Sequence, residues 1–217
     1  MDGGRGSGAA RKRVLAAAGG LFGERGYRGV ALGDVAEALG MRKPSLYHHA
    51  PGGKEQLYAE VMEGLLERHR ARMEEAISEA GPGLGEELKA AARSLLSERP
   101  RVSLEGMVLR DMPAISEERS RRLMDVAFRC LHGPLLAALR AARDRGEIFL
   151  PDPSLISGTI LSLVGGAQIS AYAAGGQNDR DGAAAADALI DVLLDGLRPR
   201  EPGTPAGEEG PREKGAS

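Results

Sequence analysis

The chain has 217 residues, room for one large domain or two small ones with a genuine core. Hydrophobic residues make up 42% and charged residues 28%, but aromatics only 3%, so any core is built from Leu, Val, Ile, Ala and Met, and a single cysteine, Cys130, excludes an intramolecular disulfide and an all-Cys zinc site. The net charge of −2 is unevenly divided: through Lys54 nine basic residues face four acidic ones, a basic head on an acidic remainder, which suits docking one end on phosphates.

Residues 1–8 are small and polar and read as a flexible arm; MDGGRGSGAARKR lacks the apolar stretch of a signal peptide. No run in the chain approaches the ~18 apolar residues of a membrane span, so the expected location is the cytoplasm. A helix is predicted from about Ala9, with Val14, Leu15, Ala18, Leu21 and Phe22 at helical spacing and Gly26 as its stop. Gly19 and Gly20 lie inside it, consistent either with a close helix crossing or with codon bias. From about Leu32 to Leu39, Leu32, Val35, Ala36 and Leu39 form one apolar face, and Gly40 stands where a helix ends in left-handed backbone. A very short third helix, about Pro44 to His49, follows across this turn, crowded with hydrogen-bonding side chains. Two short helices across a glycine turn, the second polar, describe a helix-turn-helix whose recognition helix enters the major groove.

After the break Ala50-Pro51-Gly52-Gly53, an amphipathic helix is predicted from Lys54 to Ala80, with Leu57, Tyr58, Val61, Met62, Leu65 and Leu66 on its apolar side. Beyond Gly81-Pro82-Gly83 the periodicity predicts helices at about 84–98, 102–111, 117–145, 154–174 and 183–198, with Met112-Pro113 and Phe149 to Pro153 as connectors. No convincing strand pattern occurs, so the fold class is all-α. The helices at 154–174 and 183–198 are rich in small and apolar residues. They are expected to form a homodimer interface, a four-helix bundle when two copies meet, the alternative being core helices of a monomer. Residues 199–217 have no hydrophobic periodicity and read as a disordered tail.

The segment from Val14 to Leu57 resembles the tetracycline-repressor (TetR) family of bacterial transcription regulators. The resemblance rests on Ala17-Ala18 before Leu21-Phe22, Glu24-Arg25-Gly26-Tyr27, Asp34-Val35-Ala36, Leu39-Gly40, Ser45-Leu46-Tyr47-His48-His49 and Lys54-Glu55-Gln56-Leu57. It implies a three-helix DNA-binding head, here 9–54, on an all-α body, 55–198, that dimerises through its last two helices and holds an effector pocket. Departures are Ala31 where the family usually caps the second helix with Ser or Thr, Arg42 where Ser often begins the third, and Ala50 in place of a bulky aromatic.

Tyr47 and Lys54 match family positions that grip the DNA backbone, and a phenol and an ammonium at a helix start both suit phosphate oxygens. Lys43, Ser45, His48 and His49 are expected to face base edges, lysine being able to donate to guanine O6 and N7. Arg28 and Arg42 are expected to add phosphate contacts. Met62, Leu66, Met107, Met112, Met124 and Phe128, with Leu123 and Leu131, are candidates to line an apolar effector cavity, although the same spacing also describes plain core.

An enzyme is not expected. His48 and His49 diverge on a helix with no HExxH pattern, GPGLGEE at 81–87 follows no strand, and Cys130 reads as a small core residue. No metal or cofactor is expected. The predicted function is a dimeric regulator, most simply a repressor released from a double-stranded operator by a small hydrophobic effector. The alternative is an all-α scaffold whose head does not bind DNA.

Overall fold

The computed structural model describes residues 3–97, 107–149, 152–173 and 179–197. Nine α-helices fill these segments: α1 (Gly3–Arg25), α2 (Leu32–Ala38), α3 (Lys43–His49), α4 (Gly53–Glu79), α5 (Leu84–Ser97), α6 (Glu117–Ala127), α7 (Gly133–Asp144), α8 (Pro153–Ala173) and α9 (Asp179–Leu197). No strand occurs among the described residues, so the chain is all-α as expected. The expected 199–217 tail and the 102–106 part of the predicted 102–111 helix lie outside the described residues.

The head is α1, α2 and α3 closed against the first half of α4. Val14, Ala18 and Phe22 of α1, Val35 and Ala36 of α2, Leu46 of α3 and Leu57, Tyr58 and Val61 of α4 are all buried together. α1 begins at Gly3 rather than near Ala9; once nucleated, a helix gains one hydrogen bond per residue added, so even glycine-rich sequence can extend it. Gly19 does lie at the α1–α4 crossing, but a methyl there would sit 3.5 Å from Val61, an ordinary contact, so the crossing does not demand glycine.

Gly40 behaves as its position predicts. With φ +62° it ends α2 in a Schellman motif: Met41 N–H reaches the Ala36 carbonyl at 2.8 Å and Gly40 N–H the Glu37 carbonyl at 3.0 Å. At the other end of α2, Asp34 accepts the Ala31 backbone N–H at 2.7 Å. Alanine has no side-chain acceptor to return the bond, so only one arm of a capping box exists.

α4 runs unbroken from the head into the body, where α5 and α6 pack on it. α9 packs on α8 and α5, and α8 on α7. The predicted helix at 117–145 carries a five-residue π turn, Phe128–His132, between α6 and α7. Pro134 lies just beyond it and has no N–H to give the Cys130 carbonyl, while its ring crowds the preceding turn; local widening relieves both. A similar wide turn, Met107–Asp111, and a 3-10 turn, Met112–Ala114, lead into α6. No described helix is long and apolar enough to cross a membrane.

Candidate nucleic-acid interface

α3 is seven residues long and is held by one side chain. Leu46 is buried, worth about 1.5–3 kcal/mol as a fully buried leucine, and Ala50 one turn on is buried too. Every other α3 side chain is free of the core to a greater degree: Lys43, Ser45, Tyr47 and His48 are exposed and His49 is half-buried. Burying one face through Leu46 and Ala50 therefore turns the opposite face, with its donors and acceptors, to solvent. Arg42, at the N-cap, and Arg28, in the α1–α2 corner, are also exposed.

Lys43 reaches back from α3 toward α2. Its stem lies along α2, with Cε 3.2 Å from where a Cβ of Gly33 would be, so the missing side chain at Gly33 gives the lysine its seat. The ammonium is thereby held beside the start of α2.

Lys54 sits in the first turn of α4, half-buried, with its ammonium 4.2 Å above the Tyr27 ring. A cation over an aromatic face is held in direction while keeping its hydrogens for another acceptor. Tyr27 stacks in turn with Phe22 at 6.4 Å and meets Tyr58 edge-on at 5.1 Å, so three of the seven aromatic residues of the chain gather under Lys54. Burial, followed by the nearby Glu55 charge, raises the Tyr27 pKa, so the ring stays neutral.

Sequence reasoning named Tyr58 only as part of an apolar stripe and left Tyr27 as a family landmark. Nothing in their local spacing shows that rings at 22, 27 and 58 meet. Glu55 was likewise unassigned. It accepts both the N–H, at 3.0 Å, and the hydroxyl of Ser116, the N-cap of α6, and pairs with Arg119 at 3.2 Å. These bonds from Ser116, followed by Arg119, hold its carboxyl below the usual range.

The six candidate effector residues divide. Met62, Leu66, Met107 and Met112 are buried in the continuous core, while Met124 and Phe128 stand at the surface, 40% and 50% exposed, with Phe128 stacked on His132 at 4.6 Å. Their separation follows from α6 geometry: Leu123 and Ala127 take its inner face, so Met124 and Phe128, each one residue on, turn outward. A cleft of about 540 Å³ between α4 and α6 is lined mainly by charge, including Glu63, Glu67, Arg121, Arg122 and Arg129. Among the described residues no three His, Cys, Asp or Glu side chains gather as a metal site. Cys130 is buried, and burial raises its thiol pKa.

A helical body carrying a helix-turn-helix head, with the second short helix exposed along its polar face, defines the class of helix-turn-helix proteins. Residues 14–61, the head and the start of α4, match the model of the tetR family of bacterial regulatory proteins. It is similar to the HTH-type transcriptional regulator LmrA of Bacillus subtilis, 41% identical over 66 residues that span 30% of this chain and 35% of LmrA. The TetR family transcriptional regulator PfmR of Thermus thermophilus shares its fold at 27% identity, TM-score 0.62, over 86% of this chain and 100% of that one. The transcriptional regulator FadR of Bacillus subtilis, solved in complex with stearoyl-CoA, shares the fold at 17% identity, TM-score 0.68, over 86% and 99%.

Proposed function

We propose that this chain is a cytoplasmic, homodimeric transcriptional regulator, a repressor that leaves its operator when a small hydrophobic effector binds the body. The observation that carries the reading is the α3 surface. A helix anchored by Leu46 alone, with Lys43, Ser45, Tyr47 and His48 all exposed, is built to present polar side chains to something outside the protein. In this reading Tyr47, Lys54, Arg28 and Arg42 meet phosphates, while Lys43, Ser45, His48 and His49 face base edges.

Dimerisation is supported by α8 and α9. Ile160, Val164, Ala167, Ala186 and Ile190 turn inward, yet Leu155, Ile169, Leu189 and Val192 remain at the surface. Two such helices from each of two copies would bury this apolar area in a four-helix bundle. A hydrophobic effector is supported by Met62, Met107 and Met112, buried in the same core as Leu66: flexible thioethers repack around a guest more readily than branched side chains do. The FadR neighbour, crystallised with stearoyl-CoA, agrees with that chemistry.

The test is binding to the DNA upstream of the chain's own coding region across a salt series. Counterion release predicts a linear fall of log K with log salt, and Tyr47→Ala or Lys54→Ala should weaken binding and flatten the slope. Salt-independent binding, or two mutants indistinguishable from wild type at physiological salt, would favour the scaffold reading.

A further inference from the structure

Asp111 is a buried carboxylate, 3% exposed, in the wide turn that leads into α6. A buried charge survives only with partners that replace water, and its three come from three parts of the molecule. Its Oδ1 accepts the backbone N–H of Tyr27, at the α1–α2 corner of the head, at 3.0 Å. Its Oδ2 accepts the hydroxyl of Tyr58, on α4, at 3.0 Å. The Arg110 guanidinium, from the body's own turn, bridges both oxygens at 2.9 and 3.3 Å. Arg110 also lies across Gly26, where any Cβ would overlap the guanidinium, so the glycine that ends α1 at φ +69° leaves room for the body to approach.

We infer that Asp111 is a positioning residue for DNA binding: it ties the α1–α2 corner to α4 across the head–body joint and so sets the angle at which α3 is presented. The inference rests on the reading that the head binds an operator. Apolar contact alone is non-directional and lets packed helices slide, whereas two hydrogen bonds donated to one rigid carboxylate fix both distance and direction. The residue held by its backbone, Tyr27, is also the one whose ring carries Lys54 at 4.2 Å. A shift at Asp111 therefore reaches a phosphate-gripping lysine through one residue, with no partner of Asp111 lying on α3.

Five and eight residues past Asp111, Ser116 and Arg119 take hold of Glu55 in the first turn of α4. The segment from 111 to 119 thus grasps the base of the head at two points, with Met112 buried between them.

The experiment measures the head–body distance within one chain. Nitroxides are placed at the exposed positions Glu37→Cys on α2 and Arg140→Cys on α7, in a Cys130→Ala background diluted with unlabelled protein, and read by pulsed EPR. Operator DNA and random-sequence DNA affinities are measured alongside helical circular dichroism. Folded Asp111→Ala should broaden the distance distribution and weaken operator binding roughly tenfold, while random-sequence affinity changes far less. Asp111→Asn keeps an acceptor for the Tyr27 N–H and can turn its amide to the Tyr58 oxygen, so it should recover most of the narrow distribution.

A folded Asp111→Ala with unchanged distances, or one that loses operator and random DNA equally, overturns the inference. Should Asp111→Ala not fold, Tyr58→Phe decides: it removes one bond and leaves the charge paired with Arg110, and an unbroadened distribution there overturns it as well. If the parent protein binds no DNA, the regulator reading falls while the distances still judge the joint.

Discussion

A lysine that reads bases must bring its ammonium to a guanine edge, and Lys43 starts from a defined place, its stem along Gly33. Lys43→Ala should relax the base preference of the operator, checked by selecting binding sites from a random library; an unchanged consensus would remove Lys43 from the set of base readers. Glu55 makes a pH-dependent prediction. Its folded pKa is depressed by the Ser116 bonds and by Arg119, so its contribution to stability is complete above the unfolded carboxylate range and is lost as pH falls through the lower folded value. Glu55→Gln should therefore lower Tm near neutrality, with the gap to wild type closing as the medium becomes acidic. A gap that stays constant into acid would mean the charge of Glu55 is not what holds Ser116.

At the level of elements, α2 offers a pair of opposite substitutions. Gly40 ends the helix at φ +62°, a conformation that costs an L-residue about 1 kcal/mol, so Gly40→Ala should lower Tm by roughly 2–4 °C. Ala31 leaves the N-cap half-made, and Ala31→Ser should complete the box that Asp34 begins, raising Tm by a similar amount because a serine cap is worth ~1 kcal/mol over alanine. Scanning calorimetry of both variants checks them; equal and same-signed shifts would contradict the cap geometry. Much of this was legible in the sequence, since Leu32, Val35, Ala36 and Leu39 mark the helix and Gly40 its end through local rules alone. The π turn at Phe128–His132 was not. Periodicity carries on through Leu123, Val126 and Leu131, and the widening appears only when Pro134 has to be fitted into a helix already packed on α4 and α8.

For the whole molecule, the proposed dimer places the exposed apolar residues of α8 and α9 at its interface. Val192 is 71% exposed, and a charge there costs a monomer almost nothing but is expensive in a closed apolar interface. Val192→Asp should keep its helical spectrum, sediment as a monomer and lose operator affinity, because two linked heads bind more tightly than either alone. A dimeric Val192→Asp would place the interface elsewhere.

The amino-acid sequence by itself determined the all-α class and the polar face of α3, because both depend on residues three or four apart whose spacing a backbone rule can read. It also located the division between a basic head and an acidic remainder, which is simple addition along the chain. Only the tertiary structure decided that Asp111 meets Tyr27 and Tyr58, 84 and 53 residues away, that Lys54 rests on Tyr27, and that Phe128 and Met124 face outward while Met62 and Met107 do not. An aspartate on an isolated helix is well solvated and carries no sign of what will bury it. Its partners are chosen by how α1, α4 and the turn before α6 pack, and that choice depends on the shape of the whole core.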